Sequence, residues 1–201
     1  MWYIKDMEMK KIVLGIDLDG VCANYYDALR HHVAKKYGVP EDQVEEIYPA
    51  PSTYDMAEWP DFEHNFVKYH TEAVSSGIYT KLVPIPGASY TLWKLNEEGY
   101  HVRVITSRFV QHGQNAQVVS DTAFWLDQND IPYRDIMFVK DKPDVYADIY
   151  VDDSPENIIN LAATGRKVII FDAPYNQELE GYRAKNWDEV YTLISQLAEE
   201  L

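Results

Sequence analysis

Four short runs of mostly β-branched residues, each followed directly by a polar residue, constrain the fold of this chain more than any other feature. The runs and the residues that follow them are 12–16 before Asp17, 102–105 before Thr106, 149–151 before Asp152, and 168–171 before Asp172. Short apolar runs of this kind are typical of strands that are buried on both faces of a parallel sheet. A fifth strand is predicted at 136–139.

Helix-length segments separate the predicted strands. They cover residues 87–98, 113–129, 155–163 and 187–201, the last with Asn186 as its expected N-cap. Strands that alternate with helices indicate an α/β fold with a doubly wound, Rossmann-like parallel sheet. No internal repeat and no linker-like cluster of Gly and Pro divides the sequence, so one compact unit is expected.

A long interval interrupts this alternation after the first strand. The connection between a strand and the next helix is usually about 2–6 residues long, whereas here it covers residues 22–83. Within it, 25–37 and 61–75 have helical spacing of apolar residues, and the Pro-Ala-Pro segment at 49–51 breaks the chain between them. We therefore expect a small helical cap at 22–83, inserted into a core formed by 1–21 and 84–201.

Charge and cysteine content exclude several classes of protein. The chain has 18 Lys and Arg against 33 Asp and Glu, and its net charge of −15 repels nucleic-acid backbones and anionic membranes. Cys22 is the single cysteine, so neither an internal disulfide nor a thiolate zinc site is expected. No apolar run reaches the ~20 residues that span a bilayer, and residues 1–11 lack the apolar stretch of a signal peptide. We expect a cytoplasmic protein without membrane or nucleic-acid partners, and a homo-oligomer stays open.

The ends of the predicted strands carry the polar residues that point to chemistry. Open α/β sheets bind their ligands at the carboxyl ends of the strands. Asp17 and Asp19 follow the first strand in the sequence Asp-Leu-Asp-Gly, and Asp152 and Asp153 follow a later one. Adjacent carboxylates repel each other, and a divalent cation would relieve that repulsion. The alternative interpretations are a turn for the first pair and a helix N-cap for the second.

Two further groups could meet an anionic ligand at the same edge. Thr106, Ser107 and Arg108 offer hydroxyls, backbone amides and a cation, and their alternative interpretation is a turn or a helix cap. Lys140 and Lys142 are the basic candidates of an acidic loop, and their alternative interpretation is an ordinary surface position.

Together these groups follow the order Asp-x-Asp-Gly, Thr-Ser, Lys, Asp-Asp, which resembles the motif series of the haloacid dehalogenase (HAD) superfamily of phosphatases. Within that superfamily, the chain is most similar to the 5′(3′)-deoxyribonucleotidases, the cytosolic type C 5′-nucleotidases. The matching residues are 17–21 with Ala23 and Tyr25, 105–107, and Asp141-Lys142 ahead of Asp152-Asp153. Arg108 and Ser154 depart from the family's arrangement, which leaves the substrate preference open.

The resemblance implies a role for each acidic residue. Asp17 would be the nucleophile that forms an aspartyl phosphate, and Asp19 would be the general acid and then the general base. A Mg²⁺ ion would be held by the Asp17 carboxylate, the backbone carbonyl of Asp19 and the Asp153 carboxylate, with Asp152 behind them.

The resemblance also implies the groups that hold the phosphoryl oxygens. Thr106 and Ser107 would bind these oxygens, with Arg108 counted among the substrate-binding residues. Lys142 would neutralise the charge of the phosphoryl group and of Asp17, and Lys140 is the weaker candidate for this role.

The cap begins with two aromatic residues that could select the substrate. Tyr25 and Tyr26 follow Asp19 closely enough for at least one ring to lie over the mouth of the site, where Tyr25 could stack on a base. The alternative interpretation is that both rings pack inside the cap. We therefore expect hydrolysis of nucleoside monophosphates, deoxy forms included. A phosphatase of a sugar phosphate or another small phosphomonoester, and a binding protein without activity that retains the fold, are the alternatives.

Overall fold

A computed structural model describes residues 11–60, 62, 65–108 and 114–201 of the 201-residue chain. Its strands are β1 Val13–Ile16, β2 His101–Thr106, β3 Asp135–Phe138, β4 Ile149–Asp152, β5 Lys167–Phe171 and β6 Tyr182–Ala184. They form one sheet in the order β3-β2-β1-β4-β5-β6, and all neighbouring strands are parallel. The predicted α/β fold with a doubly wound sheet is confirmed.

The helices alternate with these strands as the sequence predicts. They are α1 Tyr25–Tyr37, α2 Val44–Ile47, α3 Phe66–Ser75, α4 Ala88–Glu97, α5 Asn115–Gln128, α6 Pro155–Ala163 and α7 Trp187–Ala198. Short 3₁₀ turns lie at Glu41–Gln43, Ile78–Lys81, Lys142–Asp144 and Pro174–Asn176. Asn186 is the N-cap of α7, because its side chain accepts a 3.0 Å hydrogen bond from the backbone N–H of Glu189.

The strand order shows where along the sheet a ligand is expected to bind. The chain moves from β1 outward to β3 on one side and then from β4 outward to β6 on the other, so the direction of winding reverses between β1 and β4. The backbone N–H of Asp17 donates to the Val151 carbonyl oxygen at 3.0 Å, which extends the β1–β4 ladder to the strand ends. Ligands of open α/β sheets bind at such a reversal, beyond the carboxyl ends of the strands.

Close packing across the sheet depends on a glycine in β1. A Cβ atom at Gly15 would lie 2.8 Å from Ile105 Cδ1 and 2.9 Å from Tyr150 Cδ1, which is closer than real carbon atoms approach. Leu14 and Ile16, the neighbours of this glycine, are fully buried. β1 is therefore locked at the centre of the core, and the loop that follows it begins from a fixed position.

Among the described residues, the interval between β1 and α4 contains three helices, α1, α2 and α3. α1 packs against α3, and an aromatic cluster holds the connecting segment, with Trp59 and Phe62 ring centroids 5.1 Å apart and Phe62 stacked on Tyr69 at 4.7 Å. Trp59 Nε1 donates to the Pro49 carbonyl oxygen at 2.8 Å, so the Pro-Ala-Pro segment is anchored to this cluster. The predicted bounds of α1 are confirmed, whereas the single turn of α2 is not predicted from the sequence.

Some predicted boundaries differ from the structure or cannot be compared with it. The short edge strand β6 is not predicted, and α7 ends at Ala198, before the predicted end of its segment. The predicted helix starts at positions 61 and 113 lie outside the described residues, as do the first ten residues of the 1–11 segment. Within the part of the chain that the structure describes, no helix has the length and apolarity needed to cross a bilayer.

Candidate active site

A cavity at the carboxyl ends of β1 and β2 brings most of the predicted site residues together, whereas Asp152 and Asp153 do not line it. The motif residues that line it are Asp17, Asp19, Thr106, Ser107, Arg108 and Lys142. The opposite wall is mainly aromatic and comes from the interval between β1 and α4, with Tyr25, Tyr26, Tyr54, Phe66, His70 and Tyr79. Charged groups on the sheet side thus face a largely aromatic wall.

The loop after β1 is shaped by one carbonyl group and one glycine. The Leu18 carbonyl oxygen accepts hydrogen bonds from the backbone N–H groups of Val21, Cys22 and Ala23 at 3.2, 2.8 and 2.8 Å. Gly20 has a φ of +83°, and a Cβ there would lie 2.0 Å from Asp153 Oδ2. Only glycine therefore lets the loop turn and pass directly against the Asp153 carboxylate.

Lys142 joins two of the predicted acidic residues. Its ammonium lies 2.7 Å from Asp17 Oδ1 and 2.6 Å from Asp152 Oδ2, and its side chain is 1% exposed. Burial alone would lower the pKa of Lys142, but the carboxylates of Asp152 and Asp17 outweigh burial and raise it. Lys142 therefore stays charged between the two carboxylates. Lys140, the weaker candidate, is exposed.

The carboxylates of Asp17, Asp152 and Asp153 carry more negative charge than Lys142 can balance. Each offers an oxygen within 4.8 Å of the others, and all three are buried. Burial raises the pKa of Asp17 to about 7 even with Lys142 beside it. Burial and the neighbouring carboxylates also raise the pKa of Asp153. A cluster of this kind is suited to a divalent cation that prefers oxygen ligands.

The two adjacent aspartates differ in the oxygen that each leaves available. Asp152 Oδ2 binds Lys142, and its Oδ1 accepts from the Ser154 backbone N–H at 3.0 Å and from Asn157 Nδ2 at 3.2 Å. Asp153 Oδ2 accepts from the Tyr175 hydroxyl and, at 3.4 Å, from the Tyr26 hydroxyl. Asp153 Oδ1 is buried with no hydrogen-bond partner among the described residues. This orphaned oxygen is the group that a cation would satisfy.

Arg108 contacts the loop after β1 through Asp19. Its Nε donates to Asp19 Oδ2 at 2.9 Å and its Nη2 donates to Asp19 Oδ1 at 2.6 Å. Nη1 donates to the hydroxyl of Thr122 on α5 at 3.1 Å. The guanidinium carbon lies 4.2 Å from the centre of the Tyr79 ring. The sequence predicts a cation for an anionic ligand here, and it contains no signal for either Thr122 or Tyr79 as its partner.

Thr106 and Ser107 reach the same cavity from the end of β2. Thr106 is 1% exposed, and its carbonyl oxygen accepts a 3.0 Å hydrogen bond from the Val139 backbone N–H. Ser107 is exposed. Together they place two hydroxyl groups on the sheet side of the cavity.

The aromatic wall contains a histidine that sequence reasoning missed. The Tyr25 hydroxyl hydrogen-bonds His70 Nδ1, and the Phe66 ring stacks on His70 with centroids 5.7 Å apart. Burial lowers the pKa of His70, so the imidazole is neutral. Burial raises the pKa of Tyr25, so its hydroxyl keeps its proton. Tyr25 lines the cavity but is mostly packed, at 5% exposure.

Comparison with known sequences identifies relatives along almost the whole chain. The family described as "5′ nucleotidase, deoxy (Pyrimidine), cytosolic type C protein" matches residues 10–200. A protein of Chlorobaculum tepidum named "Putative 5′(3′)-deoxyribonucleotidase" is 38% identical, over 96% of this chain and 96% of its own. A "5′(3′)-deoxyribonucleotidase" of Clostridium acetobutylicum is 28% identical, over 95% of this chain and 99% of its own.

Comparison with solved structures identifies the same fold at low sequence identity. A structure described as a predicted phosphatase from Clostridium acetobutylicum has a TM-score of 0.60 at 14% identity, covering 92% of this chain and 99% of its own. A HAD-superfamily hydrolase from Geobacter sulfurreducens has a TM-score of 0.55 at 16% identity, covering 92% and 96%.

Proposed function

The chain belongs to the cytosolic type C 5′-nucleotidase family of the HAD superfamily, and from this we propose that it is a Mg²⁺-dependent phosphomonoesterase of nucleoside 5′-monophosphates, deoxy forms included. The observation that carries the proposal is the contact of Asp17 with the buried Lys142 at the reversal point of the sheet, opposite an aromatic wall. This arrangement holds a carboxylate nucleophile in a site that accommodates a flat leaving group.

Asp17 is the nucleophile in this proposal. One of its carboxylate oxygens forms a bond to phosphorus while the bond from phosphorus to the ester oxygen breaks, which gives an aspartyl phosphate. Lys142 lies 2.7 Å from Asp17 Oδ1, so its charge fixes the carboxylate and offsets the negative charge that the phosphate brings.

Asp19 moves the protons of both half-reactions. It gives a proton to the departing 5′-oxygen of the nucleoside, so that the leaving group departs as an alcohol. It then takes a proton from the water that attacks phosphorus, and the bond between phosphorus and Asp17 breaks to release inorganic phosphate. Thr106 and Ser107 hold the non-bridging oxygens through both steps, since both line the cavity beside Asp17.

Mg²⁺ fits the oxygen donors of the site. The Asp17 carboxylate, the Asp153 carboxylate with its orphaned Oδ1, and the backbone carbonyl of Asp19 would hold it. Asp152 would support the site from behind, because both of its oxygens already accept hydrogen bonds. When bound, the ion supplies positive charge to the phosphoryl oxygens.

The leaving group is selected by the interval between β1 and α4, which we propose to be a cap of residues 22–83 on a core of 1–21 and 84–201. The aromatic side of the cavity comes from this interval. Stacking of a base on an aromatic ring is worth roughly 1–3 kcal/mol, whereas a sugar phosphate has no flat face to gain it. The acidic chain with its single cysteine is in keeping with a cytoplasmic enzyme that acts on small molecules.

Phosphate release from a substrate panel tests the proposal. The panel contains ribo- and deoxyribonucleoside monophosphates, several sugar phosphates and p-nitrophenyl phosphate, each with Mg²⁺ and with Asp17→Asn protein as the control for contaminants. Nucleotides are expected to give the highest kcat/KM. A sugar phosphate a hundredfold better than every nucleotide would leave the phosphatase chemistry standing and reject the nucleotidase. If no substrate were turned over, the proposal that this protein is an enzyme would be rejected.

A further inference from the structure

Arg108 is a fully buried cation in the wall of the catalytic cavity, and its guanidinium contacts protein groups on three sides. We propose that Arg108 is a positioning residue that acts on the reaction through Asp19, and that it does not bind the phosphoryl group of the substrate. This inference rests on the proposed function, because it takes Asp19 as the group that moves the protons.

The contact with Asp19 is a two-point contact. Two parallel hydrogen bonds, of 2.9 and 2.6 Å, join Nε and Nη2 of Arg108 to the two carboxylate oxygens. One hydrogen bond would let the carboxylate rotate about its bond to Cβ. The two parallel hydrogen bonds, here called the fork, fix both the plane and the direction of the carboxylate. The side chain of Asp19 keeps 26% of its surface exposed, so the fixed carboxylate still faces the cavity.

The guanidinium itself is fixed from behind. Nη1 donates to Thr122 Oγ1 at 3.1 Å, and the Tyr79 ring covers the group at 4.2 Å. Thr122 lies on α5, a helix of the core. Only 1% of the Arg108 side chain is exposed, compared with 26% for Asp19. The arginine is therefore a rigid support for the carboxylate, and a phosphate would have to break this packing to reach it.

A carboxylate that shuttles a proton must point at the leaving oxygen and then at the attacking water. Misplacement of a catalytic group by about 1 Å can cost ~10²-fold in rate. Loss of the fork should therefore lower the rates of the proton-transfer steps and leave phosphate binding unchanged. Lysine keeps the charge of arginine but cannot make the two-point contact, so Arg108→Lys separates orientation from charge.

The test compares two leaving groups. The 5′-oxygen of a nucleotide needs a proton to depart, whereas the phenolate of p-nitrophenyl phosphate does not, and kcat/KM for each reports the phosphorylation of Asp17. We expect Arg108→Lys to lower kcat/KM for a nucleoside monophosphate by about 10²-fold. For p-nitrophenyl phosphate we expect a change within about threefold, and competitive inhibition by inorganic phosphate should be unchanged.

A matched control comes from a second arginine–aspartate pair, which joins β2 and β3 outside the cavity. Arg103 makes the same kind of fork to Asp135, with bonds of 2.6 and 2.9 Å, and neither residue lines the cavity. Arg103→Lys should leave kcat/KM for both substrates unchanged. An equal loss in both arginine variants would show that the effect reports general destabilisation.

A double-mutant cycle tests whether Arg108 acts through Asp19. Asp19→Asn should itself lower kcat/KM for the nucleotide more than kcat/KM for p-nitrophenyl phosphate. Adding Arg108→Lys to Asp19→Asn should not lower either value further. If the double variant lost kcat/KM by the product of the two single losses, or if Arg108→Lys raised the inhibition constant of phosphate, the inference would be overturned and Arg108 would be a substrate ligand. If Asp19→Asn were fully active on nucleotides, the proposed function itself would fail at Asp19.

A second variant keeps the test open if Arg108→Lys protein does not fold. Thr122→Val removes the Nη1 contact and keeps the fork, which loosens the support of Arg108. We expect kcat/KM for the nucleotide to fall several-fold and kcat/KM for p-nitrophenyl phosphate to stay unchanged. Equal effects on both substrates, or none on either, would overturn the inference.

Discussion

Lys142→Met is the substitution that most directly tests the electrostatics of the site. Methionine keeps much of the length of the side chain and removes the ammonium that lies 2.7 Å from Asp17 Oδ1 and 2.6 Å from Asp152 Oδ2. Removal of one preorganised charge-stabilising group from an enclosed site costs about 10²–10³ in kcat. Here the same group also neutralises Asp17, the proposed nucleophile, so we expect a loss at the upper end of that range or beyond it.

The loss should depend on pH in a defined direction. Burial raises the pKa of Asp17 to about 7, and Lys142 opposes this rise. Without Lys142 the pKa of Asp17 moves further up, and each additional unit lowers the ionised fraction about tenfold at a pH below it. The activity of Lys142→Met relative to the natural protein should therefore recover partly as the pH is raised from 7 to 9.

Stability should change with pH in the opposite direction. A carboxyl group whose pKa is raised on folding stabilises the protein when protonated, and that contribution is lost as the pH rises through the folded-state pKa. Loss of one partner of a buried ion pair typically costs about 3–5 kcal/mol while the other partner stays charged. The melting temperature of Lys142→Met should thus approach that of the natural protein near pH 5 and fall below it by pH 8.

Steady-state kcat/KM from pH 6 to 9 at saturating Mg²⁺ measures the effect on activity, and melting curves from pH 5 to 8 measure the effect on stability. Lys140→Met is the matched control, because Lys140 is exposed two positions before the buried lysine. Lys140→Met should stay close to natural activity. Activity of Lys142→Met within tenfold of the natural protein, or a greater loss in Lys140→Met, would refute the assignment of the buried lysine.

Three further predictions concern the proposed nucleophile, the metal and the cap. Asp17→Asn should abolish phosphate release while keeping the melting temperature, and near-natural activity in clean protein would exclude an aspartyl phosphate. A chelator should abolish activity and added Mg²⁺ should restore it. Asp153→Asn should raise the Mg²⁺ concentration for half-maximal rate more than Asp152→Asn, and equal Mg²⁺ titrations of the two variants would remove Asp153 from the site. Tyr25→Ala should raise KM for nucleotides more than for a small non-aromatic phosphate, and equal effects on both would assign its ring to packing alone.

The sheet and the sheet side of the site follow from local patterns. β-branched runs that end in polar residues mark the strands, and the carboxyl ends of parallel strands share one edge, so the sequence alone predicts that Asp17, Thr106 and Asp152 lie together. β6 escaped prediction because it has three residues and one of them, Tyr182, is exposed. An edge strand that short carries no periodic signal of its own.

The aromatic side of the site could not be derived in the same way. His70 lies 45 positions after Tyr25, and their hydrogen bond depends on how α1 and α3 pack. The fork between Arg108 and Asp19 joins residues 89 positions apart. The sequence predicted that Arg108 offers its charge to an anionic ligand at this edge of the sheet. In the structure its guanidinium binds the carboxylate of Asp19.

Under the proposed function, the charges in and beside the cavity predict that the metal ion and the substrate bind together. Four carboxylates, those of Asp17, Asp19, Asp152 and Asp153, meet two cations, Lys142 and Arg108. A phosphate dianion added to this set would enter a site that is already negative, whereas Mg²⁺ first cancels the excess. The raised pKa values of Asp17 and Asp153 mean that protons fill this role when Mg²⁺ is absent. Titration calorimetry at pH 6 and 8 should therefore show that Mg²⁺ releases protons and binds more tightly at the higher pH, and that inorganic phosphate binds only with the metal present. Tight phosphate binding to metal-free protein at pH 8 would contradict this account of the site.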